Sequence, residues 1–457
     1  MRSTNLYKYW QQYRNDWKPI VIAAIILQAI PFLLAAYQPE RSYPYADSYE
    51  YQTIAQNLVT NRVFSQDTTE PLLPDTYRTP IYPLLIASTF ILKDGHIAIL
   101  VFQAILSIIT ALILFHFGMA CGLSLRTSKF ASIIISILPV STVSWATVTT
   151  EPLFTFWMCL SLLVAWKYSQ SLISSLILGV LAGLLVLTRP IGVLVLPCLL
   201  LGLIWGKNLL ARATILQLVT ATLGFALVLT PWWYRGIQLF DHPYLSTVGN
   251  VNLLTYNGAA LLAHRAGLGF WEGRYLVWEY WDQYEQSLAT KSTNPIEIAR
   301  NMKDAAILIF LENPLESIFI NGIESLNGLR PGASQLMLFF QPNAFEGTTI
   351  PSNADISPIV QILKNPAALI LTISVSLIYL VVYCLLATGT ILLFIQRRWK
   401  IIVAVLLPII LLLYFPGPVS NSRFRIPTEP LMSIVVALAL TETSLLRHKS
   451  PSDPPNQ

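Results

Sequence analysis

Ten apolar stretches follow one another along the 457-residue chain, with polar segments between them. A helix needs about 20 apolar residues to cross ~30 Å of hydrocarbon. Only 12% of the residues are charged, whereas soluble domains average about 25%. Because lipid offers no hydrogen-bonding partners, apolar stretches of this length fold as helices. The sequence therefore predicts an all-α polytopic membrane protein with about ten transmembrane helices, at residues 19–37, 97–120, 130–147, 151–168, 171–188, 190–206, 214–234, 366–396, 400–416 and 430–446.

The distribution of cations predicts the orientation of these helices. With both termini in the cytoplasm, the inner segments hold 14 of the 29 Lys and Arg residues but only 3 of the 24 acids. Short loops rich in Lys and Arg face the cytoplasm. The net charge of +5 therefore follows membrane topology, and we expect no nucleic-acid partner. No small-residue cleavage site closes the first apolar run, so the sequence predicts an uncleaved first helix in a multi-pass protein of the bacterial inner membrane, with both termini cytoplasmic.

Three regions follow from this topology. Residues 1–235 form an N-terminal transmembrane catalytic half that includes a first outer loop at 38–96. Residues 236–365 form one long periplasmic loop, rich in Trp, Tyr, Asn and Gly, in which we expect interfacial helices. Residues 366–457 form the C-terminal transmembrane helices and a short cytoplasmic tail. Aromatic residues at this density suit the level of the lipid headgroups, or stacking against sugars.

Motifs for several other classes of site are missing from the sequence. The four cysteines lie in or beside apolar runs and show neither disulfide nor zinc-ligand spacing. Gly267, Gly269 and Gly273 do not have dinucleotide-binding spacing. A divalent metal would be compatible with the chemistry proposed below, but no cluster of acids supports one. We therefore predict no metal ligands and no certain cofactor.

Ionisable residues gather at the outer ends of the predicted helices, often beside a proline. Arginine holds phosphate oxygens in a fixed fork and stays charged, and a neighbouring carboxylate can accept a proton from an attacking hydroxyl or amine. Such a set suits a reaction on a phosphate-bearing lipid. Its charged members are Asp47, Arg78, Glu151, Arg189, Arg235, Arg423, Arg425 and Glu429.

Each of these residues also has a simpler interpretation. Asp47 lies at the start of a predicted helix, where a carboxylate often caps the backbone. Glu151 opens a helix, and its charge there interacts favourably with the helix dipole. Arginines near the ends of membrane helices commonly act as interfacial anchors. The sequence alone leaves both interpretations open.

Several short motifs, taken in order, resemble those of the glycosyltransferase C superfamily, and in particular of protein O-mannosyltransferases and lipid A aminoarabinose transferases. The first is a carboxylate just after the first helix, in an Asp-x-x-x-Tyr-x-x-x-Ala setting, here Asp47, Tyr51 and Ala55. The second is an Arg-x-Pro-x-Tyr-Pro element, here residues 78–83. Further matching elements are Thr-Glu-Pro-Leu at 150–153, Thr-Arg-Pro at 188–190, Pro-Trp-x-x-Arg at 231–235 and Arg-Phe-Arg-x-Pro at 423–427.

The resemblance spans residues 40 to 447 and implies an inverting transfer of a sugar, hexosyl or pentosyl, from a polyprenyl phosphate. The acceptor, a lipid, glycan or protein, would be on the outer face. By this resemblance Asp47 is the general base, and the expected substrate-binding residues are Tyr51, Arg78, Tyr82, Glu151, Arg189, Arg235, Arg423 and Arg425. Many members have a second acid after the aspartate, whereas this chain has Ser48, which favours a lone base over a metal-bridged pair.

Two other classes remain as alternatives. A transporter or lipid flippase shares the polytopic layout, but it usually places polar groups and broken helices near the bilayer midplane, often in repeats. An O-antigen ligase or polymerase also uses polyprenyl-linked sugars, but it would lack the early aspartate. The outer position of the ionisable residues favours the transferase.

Overall fold

The computed structural model describes residues 3–92, 95–340 and 365–448. Residues 341–364, which belong to the predicted loop 236–365, and the predicted cytoplasmic tail beyond residue 448 lie outside the described residues. Within the described residues every regular element is a helix, as the apolar pattern predicted. In chain order the helices are α1 (Ser3–Tyr37), α2 (Ala46–Thr60), α3 (Ile81–Thr89), α4 (Gly95–Ala120), α5 (Leu125–Ile137), α6 (Pro139–Ser144), α7 (Glu151–Lys167), α8 (Leu172–Thr188), α9 (Leu196–Ile204), α10 (Arg212–Phe240), α11 (Val248–Asn252), α12 (Ala259–Ala266), α13 (Phe270–Ser287), α14 (Pro295–Glu312), α15 (Pro314–Ser325), α16 (Ala333–Phe340), α17 (Pro366–Ile395), α18 (Trp399–Ile401), α19 (Leu407–Tyr414), α20 (Ser422–Arg425) and α21 (Glu429–His448).

Five helices of the described chain are long and apolar enough to cross a membrane by themselves, at Gln12–Tyr37, Gly95–Ala120, Arg212–Phe240, Pro366–Ile395 and Ser422–Glu442. The other predicted spans fall on shorter or interrupted helices, among them α8 and the stretches Pro190–Ile204 and Trp399–Tyr414. The all-α polytopic class is therefore confirmed. The number of ten spans and the three-region division stay predictions.

Prolines account for two of the interruptions. A residue that precedes proline is pushed out of the helical region of backbone space. Leu138 before Pro139 is extended and separates α5 from α6, within the predicted span 130–147. Arg189 before Pro190 is also extended, and it ends α8. The prolines therefore end helices at the points where polar side chains leave the helical bundle.

Glycines allow helices α8 and α10 to pack closely. A Cβ atom on Gly179 would lie 1.9 Å from the carbonyl oxygen of Ala221. A Cβ atom on Gly224 would lie 2.4 Å from the carbonyl oxygen of Leu176. Small residues let helix backbones approach one another in a membrane, where packing rather than water expulsion drives association. This contact fixes the end of α8, and hence Arg189, against α10.

The two predicted outer segments, the first at residues 38–96 and the second at residues 236–365, fold over one end of this bundle in the parts that the structure describes. In the first, α2 buries Tyr51, Ile54 and Ala55, which lie on one face of the helix. In the second, α12, α13 and α14 enclose a separate small core that includes Leu261, Val277 and Ile309. The outer segments are thus folded helical layers that can position side chains above the bundle.

Candidate functional site

A cavity of about 530 Å³ lies where the two outer segments meet the ends of the bundle helices. We call it the chamber. Its lining comes from five separate parts of the chain. They supply Asp47 and Tyr51; Tyr77, Arg78 and Thr79; Thr188, Arg189, Pro190, Ile191, Val193 and Leu194; Val248, Gly249, Asn252, Leu253, Tyr256 and Asn257; and Phe415, Pro416, Val419, Arg423 and Phe424. Four charged side chains, Asp47, Arg78, Arg189 and Arg423, reach it alongside apolar ones. This combination suits a ligand with a charged head and an apolar tail.

Asp47 is in the first turn of α2, and its carboxylate binds an arginine rather than capping the helix. The cap residue is Tyr45, with an extended backbone and no side-chain cap bond. Both carboxylate oxygens of Asp47 accept from Arg423, from Nη1 at 3.0 Å and from Nη2 at 2.7 Å. The capping interpretation of Asp47 is therefore wrong. Only 16% of its side chain is exposed, and the start of a helix favours its negative charge.

Glu151 lies beneath the chamber and joins two arginines. It begins α7, and its side chain is 0% exposed. Its Oε1 accepts from Nη1 of Arg189 and, at 2.5 Å, from Nε of Arg423. Its Oε2 accepts from Nη2 of Arg423 at 3.2 Å. A buried charge is tolerated when it is paired and hydrogen-bonded, and both conditions are met here.

Arg423 is held in place by its own short helix and by an aromatic ring. The side chain of Asn421 accepts from the Arg423 backbone N–H at 2.9 Å and so caps α20. The guanidinium lies 4.4 Å from the ring centroid of Tyr45, a cation–π geometry. Its three nitrogens are all bonded to Asp47 or Glu151. Two acids and Arg423 therefore form one rigid unit.

Arg189 differs from Arg423 because part of its guanidinium is free of protein acceptors. It stacks against Phe424 at 5.3 Å and donates to Glu151 through Nη1. Among the described residues, no acceptor is bonded to its Nε or Nη2. Together the two arginines balance the charges of Asp47 and Glu151, and Arg189 retains the open donors for an incoming anion.

Arg78 approaches the chamber from the first outer loop. Its backbone N–H and that of Tyr77 donate to the carboxylate of Asp75, at 2.8 and 3.1 Å. Its Nε donates to Glu50 at 2.7 Å, and its guanidinium lies 5.1 Å from the Tyr51 ring centroid. Burial alone would lower the pKa of Arg78, but Tyr51, Glu50 and Asp47 raise it above its usual value. Arg78 is therefore a permanent cation at the chamber wall.

Four of the residues predicted to bind substrate do not line the chamber: Glu151, described above, and Tyr82, Arg235 and Arg425. Tyr82 is fully buried, and its hydroxyl donates to Gln103 at 2.9 Å, while its ring packs edge-on against Tyr51. Its place in the structure is that of a support for Tyr51. We therefore leave Tyr82 out of the substrate-binding set that follows.

Arg235 and Arg425 are bonded to outer-segment backbone and to tyrosines. Arg235 donates to the Tyr244 hydroxyl and, at 3.3 Å, to the Asp75 carbonyl. Arg425 is 0% exposed, donates to Glu429 at 2.9 Å, and also bonds backbone carbonyls of residues 328, 330 and 331. Neither guanidinium lines the chamber, so we also leave both arginines out of the set.

The sequence did not single out the neutral part of the chamber wall. Asn252, Tyr256 and Asn257 come from the second outer segment, and Phe415 and Phe424 come from the C-terminal region. No motif marked the three polar residues, because neutral polar residues in an outer loop carry no distinctive pattern. The high Asn, Tyr and Trp content of residues 236–365 was the only available signal.

Acids and arginines, rather than acids and histidines, form the polar centre. Within the ranges that the structure describes, no group of three or more His, Cys, Asp or Glu side chains is arranged to share a metal ion. The two acids Asp47 and Glu151 are instead bridged by Arg423. The arrangement can hold an anion beside a carboxylate that accepts a proton.

Gly417 makes a close contact at the edge of the chamber, where Asn257 donates to Asn321 at 2.8 Å. Its φ of +53° is in the left-handed region, and an added Cβ would lie 2.0 Å from Oδ1 of Asn321. We expect Gly417→Ala to destabilise the protein by more than about 1 kcal/mol, since strain at positive φ adds to this clash. Thermal unfolding in detergent measures the effect.

Gly267 provides the matched control for that substitution. Its φ is +65°, and an added Cβ there would meet nothing within 4 Å. Gly267→Ala therefore isolates the backbone cost. Equal losses of stability in the two variants would show that the Asn257–Asn321 contact tolerates displacement.

Comparison with known proteins gives a fold relationship without a close relative. No known protein family and no curated protein matches the sequence. Among solved structures, the oligosaccharyltransferase AglB from Archaeoglobus fulgidus, in complex with an inhibitory peptide and a dolichol-phosphate, matches with a TM-score of 0.50 and 14% identity. The match covers 98% of this chain and 53% of AglB, so this chain spans about half the length of that protein.

A second match is to ArnT from Cupriavidus metallidurans bound to undecaprenyl phosphate. It has a TM-score of 0.40 and 12% identity, and covers 95% of this chain and 81% of ArnT. The AglB match shows that this chain shares its fold with that oligosaccharyltransferase. The fold expected from the sequence motifs is therefore confirmed.

Proposed function

We propose that this membrane protein is a glycosyltransferase that moves a sugar from a polyprenyl-phosphate donor to an acceptor at the outer face of a bacterial inner membrane. The observation that carries the proposal is the convergence of Asp47, Glu151, Arg189 and Arg423 at one chamber, although they are up to 376 residues apart in the sequence. The fold shared with AglB, a transferase solved with dolichol-phosphate, supports this assignment.

In this proposal the donor phosphate binds at Arg189. Arg189, whose Nε and Nη2 are open, lines the chamber next to Pro190, Ile191, Val193 and Leu194. In a polyprenyl phosphate the charged phosphate is attached directly to the apolar chain. Arg189 would contact the phosphate, and the apolar residues that follow it would contact the start of the chain. Charge-assisted hydrogen bonds from guanidinium to phosphate are about twice as strong as neutral ones.

Asp47 acts as the base. The acceptor hydroxyl or amine attacks the anomeric carbon of the sugar, and its proton passes to the carboxylate of Asp47. The bond between that carbon and the phosphate oxygen breaks, and the leaving polyprenyl phosphate keeps the electron pair. Attack from the face opposite to the phosphate inverts the anomeric centre. Arginines set in advance around the leaving phosphate stabilise the charge that develops there.

The resting hydrogen bonds imply an order of events. In the resting structure both carboxylate oxygens of Asp47 are bonded to Arg423. An incoming phosphate competes for the Arg423 donors and so releases Asp47. The base is thus freed when the donor is in place, which limits loss of the sugar to water.

A transfer assay tests the proposal. The purified protein in lipid nanodiscs is incubated with a set of undecaprenyl-phosphate-linked hexoses and pentoses, and the release of undecaprenyl phosphate is measured. The proposal predicts release from at least one donor, in proportion to protein. A transporter would instead move a labelled lipid across the bilayer with the sugar–phosphate bond intact. That result, with no release from any donor, would contradict the proposal.

Arg189→Gln should weaken the binding of undecaprenyl phosphate by about tenfold to a hundredfold. A hydrogen bond to a charged group contributes about 1.5–3 kcal/mol, and 1.4 kcal/mol corresponds to a factor of ten. Titration of the lipid phosphate into purified protein, followed by intrinsic fluorescence, measures the change. Arg62→Gln removes an exposed arginine of the first outer loop and is the control. Equal affinities in the two variants would remove Arg189 from the donor site.

A further inference from the structure

Helices α14 and α15 form a bent, apolar pair in the second outer segment. They meet at Asn313 and Pro314 at an angle of 108°, and together they have the length and hydropathy of a broken or re-entrant membrane span. Large apolar side chains on this pair are exposed, such as Leu311 at 65%, Leu315 at 80% and Phe319 at 63%. Apolar surface of this extent is stable when it faces lipid. The pair therefore presents an apolar face that is suited to contact with lipid.

A second cavity, of about 360 Å³, lies on the inner side of this pair. Its lining is almost entirely apolar and includes Leu261, Ile307, Phe310, Leu311 and Ile318. Leu311 and Ile318 belong both to this lining and to the exposed apolar surface, with Ile318 59% exposed. The cavity is therefore continuous with the surface that faces lipid.

The second cavity also adjoins the chamber. Leu253, Asn257 and Phe415 line both spaces. Asn257 donates to Asn321 at 2.8 Å, and Asn321 donates to the carbonyl of Tyr414 at 2.9 Å. These amides form a polar neck between an apolar cavity and the charged chamber. A lipid with its chain in the cavity would pass its head group through this neck.

The donor does not need this second cavity. Its chain must begin beside its phosphate, and Ile191, Val193 and Leu194 supply an apolar wall directly after Arg189. Val193 is 45% exposed, so this wall too reaches the lipid-facing surface. None of the three residues shared between the cavities is hydrogen-bonded to an arginine among the described contacts. The chamber thus has one apolar exit beside its phosphate-binding arginine and another away from it.

We propose that the second cavity binds the hydrocarbon chain of a lipid acceptor, and that the sugar is therefore transferred to a membrane lipid rather than to a protein or a free glycan. The inference rests on the proposed function and specifies its acceptor. Two chains enter the chamber by separate routes, with the donor on the Arg189 side and the acceptor past Asn257. The acceptor head group then meets Asp47 from the side opposite to the donor tail.

Photolabelling tests the two routes without relying on activity. The full-length protein in nanodiscs is irradiated with a phospholipid that carries a diazirine in its acyl chain, or with a photoreactive polyprenyl phosphate. We expect the phospholipid to label residues 307–320 and the polyprenyl phosphate to label residues 190–194. Labelling of residues 307–320 by the polyprenyl phosphate would overturn the assignment of the routes.

A cavity-filling variant tests the acceptor. Ile318→Trp narrows the second cavity, whereas Leu315→Trp adds the same side chain at an exposed site on the same helix that does not line the cavity. With a donor radiolabelled in its sugar, we expect the label to move to a lipid that chromatography separates from the donor, and Ile318→Trp to raise the KM for that acceptor lipid at least tenfold. Ile318→Trp should leave the binding of undecaprenyl phosphate unchanged. Leu315→Trp should leave both this binding and the KM for the lipid unchanged.

Two results would overturn the acceptor assignment: label that moves from the donor to protein or to a water-soluble product, or equal KM values for Ile318→Trp and Leu315→Trp. Failure of the proposed function is a different result, in which the wild-type protein releases no undecaprenyl phosphate from any donor. In that case the photolabelling still decides which chain occupies the second cavity.

Discussion

Asp47→Asn should abolish sugar transfer while leaving the protein folded in the membrane. General base catalysis contributes about 10²–10⁴-fold to a rate, and Asn keeps the shape of Asp47 but cannot take up the proton. The same substitution should not weaken the binding of undecaprenyl phosphate, because it removes a negative charge that competes for Arg423. Initial rates with labelled donor and a binding titration measure the two effects in one preparation.

Glu40→Gln is the matched control for that substitution. Glu40 is an exposed acid of the same outer segment, it does not line the chamber, and its loss should leave the rate unchanged. An unaltered elution volume in detergent shows that both variants are intact. Full transfer activity in Asp47→Asn and also in Asp47→Ala would remove Asp47 from the mechanism.

Arg423→Met should cause the largest loss of stability among the chamber variants, and it should also abolish transfer. The substitution removes one of the two cations that neutralise Glu151, whose side chain is 0% exposed, and it leaves Asp47 without its partner. Removing one member of a buried ion pair costs about 3–5 kcal/mol, because the remaining charge is then uncompensated. Unfolding of the purified protein in detergent measures this free energy.

Arg265→Met is the control for a paired arginine. Arg265 contacts Glu312, which is 59% exposed, and Glu316, which is 21% exposed, so its loss leaves no fully buried charge, and we expect a smaller loss of stability than for Arg423→Met. Adding Glu151→Gln to Arg423→Met should recover part of the lost stability, since it removes the uncompensated charge. If the losses of unfolding free energy from Arg423→Met and Glu151→Gln are additive in the double variant, the uncompensated charge of Glu151 is not the reason that Arg423→Met destabilises the protein.

The membrane helices could be predicted from the sequence because length and hydropathy are local properties. The break at Pro190 was placed correctly between two predicted spans, but the break at Pro139 was missed, because the predicted span 130–147 runs through it. Interfacial helices were expected in residues 236–365, but the angle between α14 and α15 and the apolar exposure of this pair depend on packing against the bundle. The sequence pattern therefore predicts where helices occur better than it predicts their mutual angles and the exposure of their apolar side chains.

The candidate site could be predicted only in part, for a physical reason. The position of Asp47, Glu151, Arg189 and Arg423 at outer helix ends was visible in the sequence, but that Arg423 binds both acids was not, because the contacts join residues hundreds of positions apart. Arg235 and Arg425 show the converse. Their positions resemble those of Arg189 and Arg423, yet backbone carbonyls and tyrosines occupy their donors.

A structure of the protein with undecaprenyl phosphate bound would test the central claim most directly. We predict phosphate oxygens within about 2.7–2.9 Å of guanidinium nitrogens of Arg189 or Arg423, with Asp47 open to the same chamber. A phosphate held instead by Arg235, or by arginines at the opposite ends of the helices such as Arg397 and Arg398, would contradict the claim.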